Sequence, residues 1–407
     1  MPVESPYPLV SIDHALNTIL AHSPLLDEET VPLEEALGRV LCQDVVAAMP
    51  VPPFPASAKD GYAIIADDPS PVRKLVGEQT AGRVGDLRVV PGTAVQIMTG
   101  AAIPEGADAV VMIEYTSRRD DEVIIEQKVP VGNEIRPVGQ DIEQGQKVLD
   151  RGTTLGPAEI GLLAAVGLDR APVYRQPRVA LFSTGDELCE PGQPLAPGQI
   201  YDSNRFSLAA AVTQSGGIPH TIGVVDDTPQ ALEQALAEAL EVGDVVLTSG
   251  GVSMGKLDLL KPLLEAHGRV HFGRVVMKPG KPVTFATVGE TPVFALPGFP
   301  VSALVSFELF VRPALRHMQG DPAWRRPRLH VKLAHALHHD AHRTEYQRAA
   351  IEVREGEFYA RTTGYQGSGR LLSMVGAHAL LELPPGDDYL PAGATVTAIL
   401  LQPIGTL

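Results

Sequence analysis

Several short stretches in the second half of the chain place polar groups where chemistry on a phosphate-bearing molecule would need them. Ser183-Thr184-Gly185-Asp186-Glu187, Asp226-Asp227 and Thr248-Ser249-Gly250-Gly251-Val252-Ser253 each follow an apolar run. Gly250 and Gly251 let backbone N–H groups approach an anion, and a helix N-terminus nearby would add positive potential. Taken alone, Ser-Gly-Gly reads better as an ordinary tight turn. The carboxylates of Asp186, Glu187, Asp227 and Asp258 would crowd one rim, which is unfavourable unless a proton or a cation intervenes. A hard ion such as Mg2+, shared between carboxylate and substrate phosphate, is the usual solution. For Asp227, just ahead of Thr228-Pro229, a role in starting a helix competes with that reading. Lys278-Pro279-Gly280-Lys281 projects two ammonium groups from a turn, and Pro297-Gly298-Phe299-Pro300-Val301-Ser302 joins a strand to a helix, offering backbone amides and a hydroxyl.

The elements that must hold these groups are legible in the periodicity. From Arg178 the pattern is strand then helix, repeated: Val179-Ala-Leu-Phe182, a helix near Phe206 to Gln214, Thr221 to Val225, a helix from Thr228-Pro229, then Val245-Val-Leu-Thr248. Apolar runs alternating with helices indicate a parallel sheet buried on both faces with right-handed crossovers, and such sheets bind ligands beyond the carboxyl ends of their strands. Upstream, Ser11 precedes a helical period from Ile12 to Leu20 that Ser23-Pro24 ends. Thr30, Pro32 and Glu34 signal a second short helix, and Gly156-Pro-Ala-Glu159 a third running to Gly167. Between about Val45 and Ile142, short β-prone runs such as Ala94 to Met98 and Val110 to Ile113 alternate with Gly and Pro turns, the pattern of a mostly β insertion. After Pro322 strands return, at Leu329 to Leu333, Tyr346 to Val353, Phe358 to Ala360 and Val396 to Leu400.

Bulk properties narrow the class. At 407 residues the chain exceeds what one core usually serves, and 44% hydrophobic with 20% charged residues is an ordinary globular mix. The net charge of −16 repels a phosphate backbone, so an extended nucleic-acid footprint is not expected and any anionic ligand needs a local basic pocket. Two cysteines, Cys42 and Cys189, without CxxC spacing support neither a disulfide framework nor a zinc site, and suit a reducing compartment. The first residues lack a basic start and an apolar core, and Val293 to Val311 is interrupted by Pro297-Gly-Phe-Pro and Glu308. A cytoplasmic protein with no membrane partner is the expectation.

As an ordered set, Pro55-Ala-Ser-Ala-Lys-Asp60-Gly-Tyr-Ala, Met98-Thr99-Gly100-Ala-Ala-Ile-Pro, Ser183-Thr-Gly-Asp-Glu187-Leu, Thr248-Ser-Gly-Gly-Val-Ser, Lys278-Pro-Gly-Lys-Pro and Leu296-Pro-Gly-Phe-Pro-Val-Ser resemble the molybdopterin molybdenumtransferase family, which includes MoeA and the E domain of gephyrin. The likeness covers nearly the whole chain. It implies a multi-domain α/β plus β fold: a helix (1–26) packing with the α/β domain, a small dimerising segment (27–44 and 143–176), a mostly-β insertion (45–142), a doubly wound α/β molybdopterin-binding domain (177–322) and a C-terminal β-barrel-like domain (323–407). It also implies a magnesium-assisted homodimeric transferase that inserts molybdate into adenylylated molybdopterin, giving molybdenum cofactor and AMP. Molybdopterin adenylyltransferase and acceptor molybdoenzymes are implied partners.

Carried over by the same resemblance, nucleotide and pterin would lie against Thr184, Gly185, Asp186, Ser249, Gly250, Gly251, Pro297 and Gly298. Molybdate would sit among Lys278, Lys281, Ser302, Arg348 and Ser368. Asp60, Thr99, Glu187, Asp227 and Asp258 would be catalytic, with Glu187, Asp227 and Asp258 holding Mg2+. Asp60 and Thr99 match positions that line the cleft in the family; as residues, they also read as loop caps, since Asp before Gly is a standard turn pair. One departure stands out: the family turn usually reads Pro-Gly-Asn-Pro, and this chain has Phe299. Two rival functions remain, an upstream molybdopterin adenylyltransferase with the same strand-end motifs and a non-catalytic scaffold of the gephyrin type.

Overall fold

The computed structural model describes residues 7–251 and 259–402. It packs as two units, Met1–Glu29 with Gly38–Cys42 and Val173–Leu407, and Thr30–Leu37 with Gln43–Pro172.

The first unit is built on a six-stranded sheet in the order β2-β1-β3-β6-β5-β4, where β1 is Arg178–Thr184, β2 Ile218–Val225, β3 Val245–Ser249, β4 Arg269–Phe272, β5 Thr284–Val288 and β6 Thr291–Leu296. β2, β1, β3 and β6 are parallel, while β5 and β4 continue the sheet antiparallel. Side chains alternate across the pleat, so Val179, Leu181, Val245, Leu247, Phe294 and Leu296 enter one core and Ala180, Phe182, Val246, Val293 and Ala295 the other. The crossover helices divide accordingly. α1 (Asn204–Gln214) contributes Leu208 and Val212 to the first core, whereas α2 (Pro229–Val242) brings Leu232, Ala235, Leu236 and Ala239 to the second at helical spacing. α3 (Leu260–His267) joins the second core through Leu260 and Leu264. The sheet is therefore doubly wound, as the alternation of strand and helix in the sequence implied.

After β6 the chain runs through α4 (Pro300–Ser306), a π turn over Phe307–Val311, and α5 (Arg312–Met318). Pro313 has no N–H to complete an α-helical ladder, which accounts for the widened turn ahead of it. The C-terminal strands β7 (Arg328–Leu333), β8 (Thr344–Arg354), β9 (Glu357–Thr362), β10 (Ala379–Leu383) and β11 (Thr395–Leu400) close on themselves as β8-β9-β7-β11-β10-β8. Val331, Ile351, Ala360, Leu381 and Ala398 fill the barrel. Tyr346, Leu380 and Ile399 on the alternate face join the α/β core, together with Ala15 and Ile19 of the N-terminal helix Ile12–Ala21. The two-residue strand Met277–Lys278 adds to β8 in parallel, Met277 beside Thr344 and Lys278 beside Glu345. Barrel, α/β sheet and N-terminal helix thus share one core.

In the second unit a six-stranded sheet has the order 109–112, 61–64, 93–97, 72–79, 122–125, 116–119. Tyr62, Ile64, Ala94, Val111 and Val123 bury one face and Ala63, Val95, Ile97 and Val110 the other. The helix Pro157–Ala165 begins as read, with the Gly156 N–H donating to Glu159 Oε2 at 3.0 Å. The helix expected around Thr30, Pro32 and Glu34 is instead a strand, Glu28–Pro32, followed by a single 3-10 turn, Leu33–Glu35. The residue before a proline is driven away from helical backbone, and Val31 precedes Pro32.

Candidate functional site

The carboxyl ends of β1, β2, β3 and β6 open onto a cavity of about 490 Å3. Of the residues expected to hold nucleotide or metal, it is lined by Thr184, Gly185, Glu187 and Asp227 on one side and Ser249, Gly250, Gly251, Pro297 and Gly298 on another. The floor is a close approach of backbones: a Cβ on Gly250 would lie 2.2 Å from the Thr184 carbonyl oxygen, and its φ of +98° is a conformation that L side chains rarely adopt. The Thr184 hydroxyl donates to Asp227 Oδ1, holding that carboxylate at the rim. The Asp227 N–H points toward Asp186 Oδ1 at 3.4 Å. Asp186 does not itself line the cavity, whereas Glu187 folds over Gly185 close enough that a Cβ there would lie 2.7 Å from Oε2. Asp258 lies outside the described residues.

One wall was not anticipated. Ile200, Tyr201, Asp202, Ser203 and Asn204 also line the cavity. Asn204 opens α1 and donates from Nδ2 to Ser249 Oγ at 2.6 Å and to the Gly298 carbonyl at 2.7 Å, tying the turns after β3 and β6 together, while its buried Oδ1 has no partner among the described residues. Asp202 is buried and accepts both the backbone N–H and Nε of Arg205, at 3.1 and 3.0 Å, which fixes the start of α1. The tripeptide Asp202-Ser203-Asn204 is a helix-start signature, and read that way it would have extended the predicted helix back to the site.

The residues expected around molybdate fall outside this cavity. Lys278 reaches Glu345 Oε2 at 3.0 Å, and Glu345 also accepts the Asp340 N–H at 2.7 Å. Lys281, half-buried in the same turn, has no such carboxylate among the described residues. Gly280 between them has a φ of +101°, and a Cβ there would stand 2.6 Å from Ser306 Oγ on α4. Ser302 is buried within α4. Arg348 is 0% exposed: Nε donates to Ser373 Oγ at 3.1 Å, Nη1 to the Tyr346 carbonyl and Nη2 to the Gly367 carbonyl, both at 3.3 Å. Burial away from solvent draws its guanidinium down to about 10, with Glu345 opposing the shift. It lies on the face of β8 that Tyr346 shares, bracing the loop that carries Ser368. That loop in turn holds the start of α4, since the Ser368 carbonyl accepts the Val301 N–H at 3.0 Å.

Asp60 and Thr99 sit together in the second unit. The Thr99 N–H and hydroxyl both donate to Asp60 Oδ1, at 2.6 and 2.7 Å, and these bonds, the backbone one first, hold the exposed carboxyl below its ordinary range. Their pairing fits the loop cap that Asp-Gly suggested as well as a ligand-facing pair.

No three His, Cys, Asp or Glu side chains among the described residues are arranged to hold a metal ion. The donors at the rim are nonetheless all oxygens, the type Mg2+ takes when substrate phosphates complete its shell. No helix among the described residues is long and apolar enough to cross a membrane.

Comparison with known proteins matches this architecture along the chain. Residues 10–167 match the MoeA N-terminal region (domains I and II), residues 180–317 a probable molybdopterin binding domain, and residues 330–401 the MoeA C-terminal region (domain IV). Molybdopterin molybdenumtransferase of Haemophilus influenzae is 36% identical over 395 residues, covering 96% of this chain and 98% of that protein. Gephyrin of Dictyostelium discoideum is 38% identical over 98% of this chain, which spans 63% of that relative's length. A crystal structure of the molybdopterin biosynthesis MoeA protein of Pyrococcus horikoshii superposes with a TM-score of 0.84 at 32% identity, over 97% of this chain and 100% of that one.

Proposed function

From the premise that this chain belongs to the molybdopterin molybdenumtransferase family, we propose that the cavity at the ends of β1, β2, β3 and β6 receives adenylylated molybdopterin and that molybdate is delivered beside it, with release of AMP. Insertion of molybdate into molybdopterin, in molybdenum cofactor biosynthesis, is the activity of the family and of this transferase. The observation that carries the assignment of the site is the rim itself. Thr184, buried at the end of β1, holds Asp227 by a hydrogen bond across to the end of β2, beside a glycine-floored turn at the end of β3. Backbone N–H groups there suit a phosphate, and a fixed carboxylate suits a cation that neutralises it.

In this reading Asp227 and Glu187 would hold Mg2+ together with the substrate phosphates, where it would neutralise charge on the phosphoanhydride; Asp258, outside the described residues, is read as a further donor. The chain itself positions the reactants. The Asn204 amide locks the turns at Ser249 and Gly298 into one surface, and Lys281, without a carboxylate partner among the described residues, offers an ammonium for the oxyanion. No covalent protein nucleophile is required, because alignment and electrostatics can account for large rate effects. Asp60 and Thr99 are read as further cleft residues, contributed in a homodimer, and the setting is read as cytoplasmic.

The deciding experiment mixes the purified protein with adenylylated molybdopterin, molybdate and Mg2+. Consumption with AMP release supports this reading. Formation of adenylylated molybdopterin from ATP would replace it with an adenylyltransferase, and neither reaction with retained ligand binding would leave a scaffold.

A further inference from the structure

Phe299 is an apolar ring in an exposed place. It stands in the turn after β6, it is 64% exposed, and it lines the strand-end cavity. Leaving that much aromatic surface in water forgoes the gain of burying it, and nothing in the core requires the ring to be there. Its position is nonetheless well determined. The Gly298 carbonyl before it is held by Asn204, the Val301 N–H after it by the Ser368 carbonyl, and the ring rests on the neighbouring loop, where a Cβ added to Gly369 would lie 3.5 Å from Cδ1. The same cavity carries Tyr201, 45% exposed, whose hydroxyl is anchored on the Gln193 carbonyl at 2.9 Å, so that its ring too is held at the wall.

We propose that Phe299 is the stacking platform of this cavity, placing its ring against the planar nitrogen heterocycle of the substrate, with Tyr201 as a second aromatic contact. The inference rests on the assignment of the cavity made above and names what recognises the ligand's flat end. A pinned aromatic face loses little conformational freedom on binding, and it accepts any flat π-system without demanding a hydrogen-bond pattern. The polar rim around Asp227 then handles phosphate while the ring handles base or pterin. Because Phe299 packs on the 367–369 loop that Arg348 braces, the platform is a positioning device whose height depends on the barrel.

The test measures binding by calorimetry of AMP, ribose 5-phosphate and 6-hydroxymethylpterin to wild type, Phe299→Ala, Phe299→Asn and Phe299→Trp. Loss of one stacked ring should weaken the relevant heterocycle roughly ten-fold in Phe299→Ala and Phe299→Asn, with Phe299→Trp restoring it. Weakening of AMP with ribose 5-phosphate unchanged places the purine on the ring, and weakening of 6-hydroxymethylpterin alone places the pterin there. Either supports the proposal. Equal weakening of AMP and ribose 5-phosphate would show that the substitution merely disturbs the turn, and unchanged binding of both heterocycles would show that the ring is idle; each overturns it. If wild type binds none of the three, the assignment of the cavity fails and takes this inference with it.

Discussion

At position 227 a carboxylate accepts the Thr184 hydroxyl and stands at the rim of the cavity. Asp227→Asn keeps the shape and removes the charge. It should lower AMP release from adenylylated molybdopterin by roughly ten- to hundred-fold, the usual cost of altering a metal site, without shifting the melting temperature. A variant with full turnover at limiting Mg2+ would remove Asp227 from the site. The two lysines, alike in sequence, should separate. Lys278 neutralises Glu345, which is 4% exposed, so Lys278→Ala leaves a buried carboxylate short of a partner and should cost about 1–3 kcal/mol of stability, seen in urea unfolding. Lys281→Ala should leave unfolding unchanged and weaken molybdate binding, an effect that added salt imitates in the wild type. Equal behaviour of the two variants in both measurements would refute the distinction. Arg348 was implicated by resemblance alone. Its residue type suits an oxyanion, and only packing shows it enclosed and bonded to Ser373 and to backbone carbonyls.

Among the elements, β4 and the N-terminal helix meet through a pair of histidines. His271 and His22 place their rings 4.0 Å apart, and His271 Nε2 lies 3.1 Å from Thr287 Oγ1 on β5. Burial, then the adjacent His22 and Arg269, depresses His271 to about 4. An unfolded histidine titrates near ~6.5, so between those values the unfolded chain binds the extra proton and the folded one does not. Stability from this site is therefore complete above the unfolded value and is lost as pH falls toward 4. Urea midpoints at pH 7.5 and 5 should differ more for wild type than for His271→Gln, and identical differences would mean that burial of His271 contributes nothing to the pH dependence in this window. β10 shows the opposite kind of lesson. Ala-Leu-Leu-Glu-Leu is built of good helix formers, and its strand escaped the sequence reading because β8 and β11 impose pairing from both sides.

For the molecule as a whole, the partition into two packed units predicts two unfolding transitions in scanning calorimetry. Tyr346 provides the probe: it is 0% exposed, sits in the core shared by barrel and α/β sheet, and donates to Glu382 Oε1 at 3.2 Å. Tyr346→Ala should destabilise by about 3–5 kcal/mol, the usual cost of removing a buried aromatic. Only the transition of the unit containing residues 173–407 should move, because residues 43–172 have their own cores. A single transition shifted as one would merge the units. The shared core also bears on a chain ended after Pro322, which from its alternating pattern should fold as an α/β domain. Such a chain would lose Tyr346, Leu380 and Ile399 from its core and the strand partner of Met277–Lys278. It should expose that surface and aggregate.

What the sequence determined by itself is whatever depends on neighbours along the chain. Strand and helix alternation from Arg178 to Ser249, the Ser11 and Thr228 helix starts and the glycine pair at 250–251 follow from local periodicity, capping and backbone sterics. The strand-end motifs could be placed on one crevice for the same reason, since a parallel sheet brings the ends of its strands together. Only the tertiary structure decided the rest. Asn204 reaches Gly298 from 94 residues away, Arg348 on the Tyr346 side of β8 holds Gly367, and barrel and sheet merge through alternate faces of β8, β10 and β11. Those outcomes depend on which side of a strand meets which neighbour, and that is set by packing between segments whose order in space no local pattern encodes.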